Sequence, residues 1–98
     1  MEQPNYYAMI PATVRYDKEL KANEKLLFGE ITALSNKHGF CHAKNGYFAE
    51  LYDVSKVSIS KWINHLIEKG YLTKQEITKG KQVIERRLFP NSNPHKEK

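Results

Sequence analysis

Apolar positions recur along this chain with two periods, and the change between them falls at Gly70. Before Gly70 the spacing is helical. Leu27, Phe28, Ile31 and Leu34 form one stripe and predict a helix over residues 23–37, with Asn23 as N-cap and Glu24 in a first turn that favours negative charge. Asn36-Lys37-His38-Gly39 supplies its stop. A second helix is expected over 45–52 and a third over 55–69, where Ile59, Trp62, Ile63, Leu66 and Ile67 share one face. After Gly70 the pattern shortens to that of strands, over 71–77 and 82–89, joined at Thr78-Lys79-Gly80-Lys81.

The remaining stretches are less regular. Residues 1–5 read as loose. Tyr6-Tyr7-Ala8-Met9-Ile10 is apolar and meets Pro11, which disfavours helix just before it, so an extended arm or short strand is expected. Residues 12–21 show no clear period and accommodate a turn or short helix. Phe40-Cys41-His42 is a short strand candidate, and the polar residues 90–98 read as a tail or the start of a linker.

The second and third helices are separated only by Asp53-Val54-Ser55. Ala49 is small where a crossing helix would approach, Val54 fits the corner, and Ile59, Trp62 and Ile63 turn back toward the first of the pair. That is a helix-turn-helix. Asp53 stands where glycine is common, a mild departure because Asp tolerates the left-handed conformation. With the flanking elements, the order becomes helix, short strand, helix, helix, strand, basic turn, strand. The expected fold class is mainly α with a small β-hairpin (α+β), a winged helix-turn-helix. Residues 1–22 are an arm, 23–89 the domain and 90–98 the tail.

Charge sharpens this picture. The net charge is +5 over 98 residues. Residues 1–54 hold 6 Lys/Arg against 7 Asp/Glu, whereas residues 55–87 hold 8 against 3. Positive charge thus begins where the third helix begins, which points to a polyanionic partner rather than to a generally solvated surface. Mean hydropathy is −0.69 and no apolar run reaches the ~20 residues of a membrane span, so no membrane partner is expected. Cys41 is the only cysteine, which excludes an intrachain disulfide and fits a reducing cytoplasm.

The candidate DNA-binding residues are Ser55, Lys56, Ser58, Lys61, Asn64 and His65 on the third helix, and Lys79, Lys81 and Arg86 in the hairpin. Short polar and cationic side chains suit a helix in the major groove of double-stranded DNA, and cations at a turn suit phosphates. Asn64 and His65 are equally readable as ordinary surface residues. Of the adjacent Arg86 and Arg87, only one can face outward from a strand. Trp62 reads as core. His38, Cys41 and His42 lie close together but fall short of a zinc ligand set. No paired carboxylates, Gly-rich phosphate loop or nucleophile constellation is present, so neither catalysis nor a cofactor is expected. Tyr6, Tyr7, Met9 and Ile10 are apolar for a free arm and are expected to pair two copies into a homodimer, against the alternative that the arm packs beside its own first helix.

The run from YYAMIPATVRYD through NEKLLFGEI to SKVSISKWI resembles the N-terminal helix-turn-helix domain of replication proteins from phages and plasmids of Gram-positive bacteria, the DnaD-like replisome organisers and RepA-type initiators. The resemblance covers roughly Tyr6 to Phe89. It implies a winged helix, a role in replication initiation, and a further C-terminal domain through which a replicative helicase or helicase loader would be engaged. A winged-helix transcriptional regulator, or a primosome protein–protein module with weak DNA binding, fits the same residues.

Overall fold

The computed structural model describes residues 7–91. Helix α1 spans Ala12–Arg15, α2 Ala22–Leu34, α3 Asn45–Tyr52 and α4 Lys56–Glu68; strands β1 (Leu72–Lys79) and β2 (Gln82–Pro90) follow. The result is the expected α+β winged helix-turn-helix arrangement.

Helix α2 starts at Ala22, not at Asn23 under an asparagine cap. Glu24 reaches back instead, and its Oε1 accepts the Lys21 N–H at 2.8 Å. The helix also stops at Leu34, three residues before Lys37. Ser35 Oγ donates to the Ile31 carbonyl at 2.7 Å, and Gly39, at φ 82°, closes the following turn by donating to the Ser35 carbonyl. Leu27, Phe28 and Ile31 are fully buried.

The two helices of the helix-turn-helix end in the same way. After α4, the Tyr71 N–H reaches the Leu66 carbonyl at 2.9 Å and the Gly70 N–H reaches Ile67 at 3.0 Å, a Schellman motif with Gly70 at φ 84°. After α3, the Val54 N–H reaches Ala49 at 2.9 Å and the Asp53 N–H reaches Glu50 at 3.4 Å. Asp53 takes the left-handed position there, at φ 57° and ψ 50°. At the start of α4, Ser55 Oγ accepts the Ser58 N–H at 3.1 Å, a standard N-cap.

Phe48 and Ala49 of α3 and Ile59, Ile63 and Leu66 of α4 meet α2 in a single core, which Leu72 and Leu88 of the hairpin close. Trp62 packs against this core but is only partly buried. The strands pair antiparallel from Leu72 opposite Pro90 to Lys79 opposite Gln82, with a bulge at Ile84, which has no partner between the Ile77–Glu85 and Thr78–Val83 pairs. The expected strand at 40–42 is reduced to one antiparallel bridge, with Cys41 and Leu88 exchanging hydrogen bonds of 2.8 Å.

The arm lies on its own domain. The Met9 N–H donates to Thr32 Oγ1 at 2.8 Å, and Gly29 leaves room for Ile10, whose Cγ1 lies 3.0 Å from where a Cβ on that glycine would sit. Ile10 is therefore engaged within the chain and is not left for a second copy. Tyr7 and Met9 do present their side chains to solvent, and Tyr6 lies outside the described residues. Met9, Pro11, Phe28 and Thr32 line an apolar cleft that Pro90, at the end of β2, shares.

Candidate nucleic-acid interface

Helix α4 buries Ile59, Ile63 and Leu66 on one side. At 100° per residue, the opposite side is centred on Val57, Lys61, Asn64 and Glu68, and all four are exposed. The side chains of Lys61 and Asn64 make no hydrogen bond or ion pair with any other described residue. Both are available to a partner lying along the outer face of the helix.

The flanks of α4 are occupied differently. Lys56 lies toward α3: a Cβ on Gly46, in the first turn of that helix, would sit 3.3 Å from Lys56 Cε and 3.8 Å from Nζ. The ammonium thus lies beside the start of α3, where backbone N–H groups lack intrahelical acceptors. Ser55 and Ser58 are joined through their hydroxyls at 3.1 Å, and Ser55 also caps the helix, so they serve the geometry of the turn first. His65 turns to the other flank, where its Nδ1 lies 2.7 Å from Glu24 Oε2. Glu24 is only 4% exposed. One carboxylate therefore holds the start of α2 with one oxygen and the imidazole of α4 with the other, and His65 acts within the fold.

The hairpin tip carries Lys79 and Lys81 around Gly80, whose φ is 64°. Both lysines are exposed, and neither side chain pairs with another described residue. Arg86 is committed elsewhere. Its Nη1 donates to Asn45 Oδ1 and its Nη2 to the Ala43 carbonyl, each at 2.7 Å, which ties the hairpin to the start of α3. Burial lowers its pKa from the usual arginine range, yet the group stays charged at any ordinary pH. Arg87 stacks on the Phe40 ring at 4.6 Å and pairs with Glu85 at 3.3 Å. Neither arginine is thus free in the way the two tip lysines are. A groove of about 550 Å³ between β2 and the start of α3 carries Lys44 and Arg86 but also Glu76 and Glu85, so the positive surface is interrupted there.

Two residues that the sequence reading passed over belong to this surface. Lys44 is exposed directly before α3, signalled only by its position ahead of that helix. Val57 is 64% exposed at the N-terminal end of the outer stripe of α4, which counting from Lys61 and Asn64 would have revealed. The histidine–cysteine cluster does not form a centre. Cys41 is fully buried, and burial pushes its thiol pKa up. His38 and His42 flank the Phe40 ring on the surface. Among the described residues no three His, Cys, Asp or Glu side chains are placed to hold a metal ion. No helix among them is long and apolar enough to cross a membrane.

A helix-turn-helix domain family model matches residues 18–72, more than half of the chain and the whole segment from the approach to α2 through α4. The chain belongs to this helix-turn-helix domain family, a class that suggests DNA binding. No curated protein and no solved structure gives a match.

Proposed function

We propose that this protein is a double-stranded DNA-binding domain that inserts α4 into the major groove and grips flanking phosphates with the β1–β2 wing. The outer face of α4 carries this reading. Its cation and amide are unpaired among the described residues, while the opposite face is spent on the core. Lys56 lies beside the first turn of α3 and Lys44 directly precedes that helix, and Lys79 and Lys81 add positive charge at the wing tip. These are phosphate-type contacts, which set affinity and position, whereas Lys61 and Asn64 are placed for base edges.

The biological role that best fits is origin binding in replication initiation of a phage or plasmid, supported by the resemblance of the arm and helices to DnaD-like and RepA-type domains. Contact with a helicase or helicase loader would belong to a further domain. A transcriptional regulator would use the same surface in the same way. Pairing of two copies is not needed for this reading, since the arm is seated on α2.

Binding of the full chain to duplex DNA, measured against salt, tests the proposal. The log–log slope is expected near −0.9 for each phosphate neutralised. Lys79→Ala and Lys81→Ala are each expected to flatten that slope by about 1 and to weaken all sequences alike. A salt-independent affinity would refute duplex binding by this surface, and an altered base preference in the lysine variants would mean that the wing reads bases.

A further inference from the structure

Val57 is the one large apolar side chain on the outer stripe of α4. It contributes little to folding there. At 64% exposure it buries little surface, and a β-branched residue is a poorer helix former than the glutamate that an exposed first turn would ordinarily hold. It sits one turn before Lys61 and two before Asn64 on the same face. From Val57 to Asn64 the helix advances about 10.5 Å, the length of about three base pairs. The only apolar group that base edges display in the major groove is the 5-methyl of thymine.

We propose that Val57 is a specificity-determining contact whose isopropyl group packs on the 5-methyl of a thymine, within a short base step that Lys61 and Asn64 also read. This inference rests on the DNA-binding reading and narrows it. A duplex lying along α4 brings its bases first to the N-terminal turn, where Val57 stands, as is usual for the second helix of this motif. Lys61 donates to the acceptors of guanine and Asn64 pairs with the edge of adenine, so the three side chains together favour thymine next to purines.

Thymidine and deoxyuridine differ only in that methyl, which makes the test direct. A duplex is enriched from a random-sequence pool with the full chain and then resynthesised with deoxyuridine replacing each thymidine in turn. At one or two positions the replacement is expected to weaken binding by about three- to fivefold, the effect of one methyl withdrawn from an apolar contact. Val57→Ala, whose fold is checked by an unchanged thermal midpoint, is expected to bind the two forms equally while keeping the salt slope. Indifference of the native chain to uracil everywhere would overturn the proposal, as would an undiminished uracil penalty in Val57→Ala. Failure to enrich any duplex would instead refute the DNA-binding reading itself, and this inference with it.

Discussion

Asp17 lies in an irregular turn yet fastens that turn to the junction between α4 and β1. Its Oδ2 accepts the Tyr71 hydroxyl at 2.7 Å and faces Lys69 Nζ at 3.1 Å, while Oδ1 accepts the Glu19 N–H at 2.8 Å. The Tyr71 hydrogen bond is the foremost reason that its pKa falls from 3.8 to about 2, with the Glu19 amide and Lys69 acting in the same direction against burial. Tyr71, raised mainly by burial, sits at about 12 and keeps its proton to donate. A carboxylate with a lowered folded pKa stabilises the fold fully above its unfolded value of 3.8, and the contribution is lost as pH falls toward 2. Asp17→Asn is expected to cost about 1–3 kcal/mol at neutral pH and to flatten the stability profile between about pH 4 and 2, measured by urea unfolding at several pH values. Residues such as these were the least legible in the sequence. His65 is a candidate DNA contact by its place on the third helix, and Arg86 by its place in the hairpin. What captured them, Glu24 and Asn45, lies 41 residues away in each case. A helical period tells which side of α4 His65 occupies, but not which distant carboxylate waits there.

At the scale of elements, legibility followed local chemistry. The bounds of α3 agree with the apolar spacing, and α4 starts where Ser55 can cap it and stops where Gly70 can turn left-handed. Helix α2 differed at both ends because Glu24 and Ser35 bond the backbone there, and neither interaction has a periodic signature. The bulge at Ile84 is likewise a property of strand pairing that alternation alone does not display. The corner of the helix-turn-helix offers a clean test of how much local strain the motif holds. Asp53 occupies the left-handed region at a cost that glycine avoids, while glycine enlarges the unfolded ensemble. Asp53→Gly is expected to stabilise by up to about 1 kcal/mol, and Asp53→Val to destabilise by about 1–2 kcal/mol or more, read as opposite shifts in thermal midpoint. Movement of both variants in the same direction would show that the aspartate side chain itself, and not its backbone angle, matters at the corner.

On the scale of the whole molecule, the division of charge seen in the sequence becomes a division of labour: the acidic first half supplies Asp17 and Glu24 to fasten the basic second half, which keeps Lys61, Lys79 and Lys81 unpaired among the described residues. The arm was open to two readings in the sequence, and its seat on α2 depends on Gly29 and Thr32, which no periodicity marks as a dock. Met9 and Pro90 border the same cleft, so the arm and the end of β2 lie side by side. Such a chain is suited to circular permutation. Joining residues 7 and 91 through a short Gly/Ser linker, and cutting at Gly80, would retain every buried contact because the hairpin ladder, not its turn, carries Leu72 and Leu88 into the core. The permutant is expected to unfold cooperatively, with a midpoint lowered by about 4–8 °C for each kcal/mol that the opened turn had contributed. A loss of cooperative unfolding, seen by calorimetry, would mean that the topology of this domain depends on an unbroken wing.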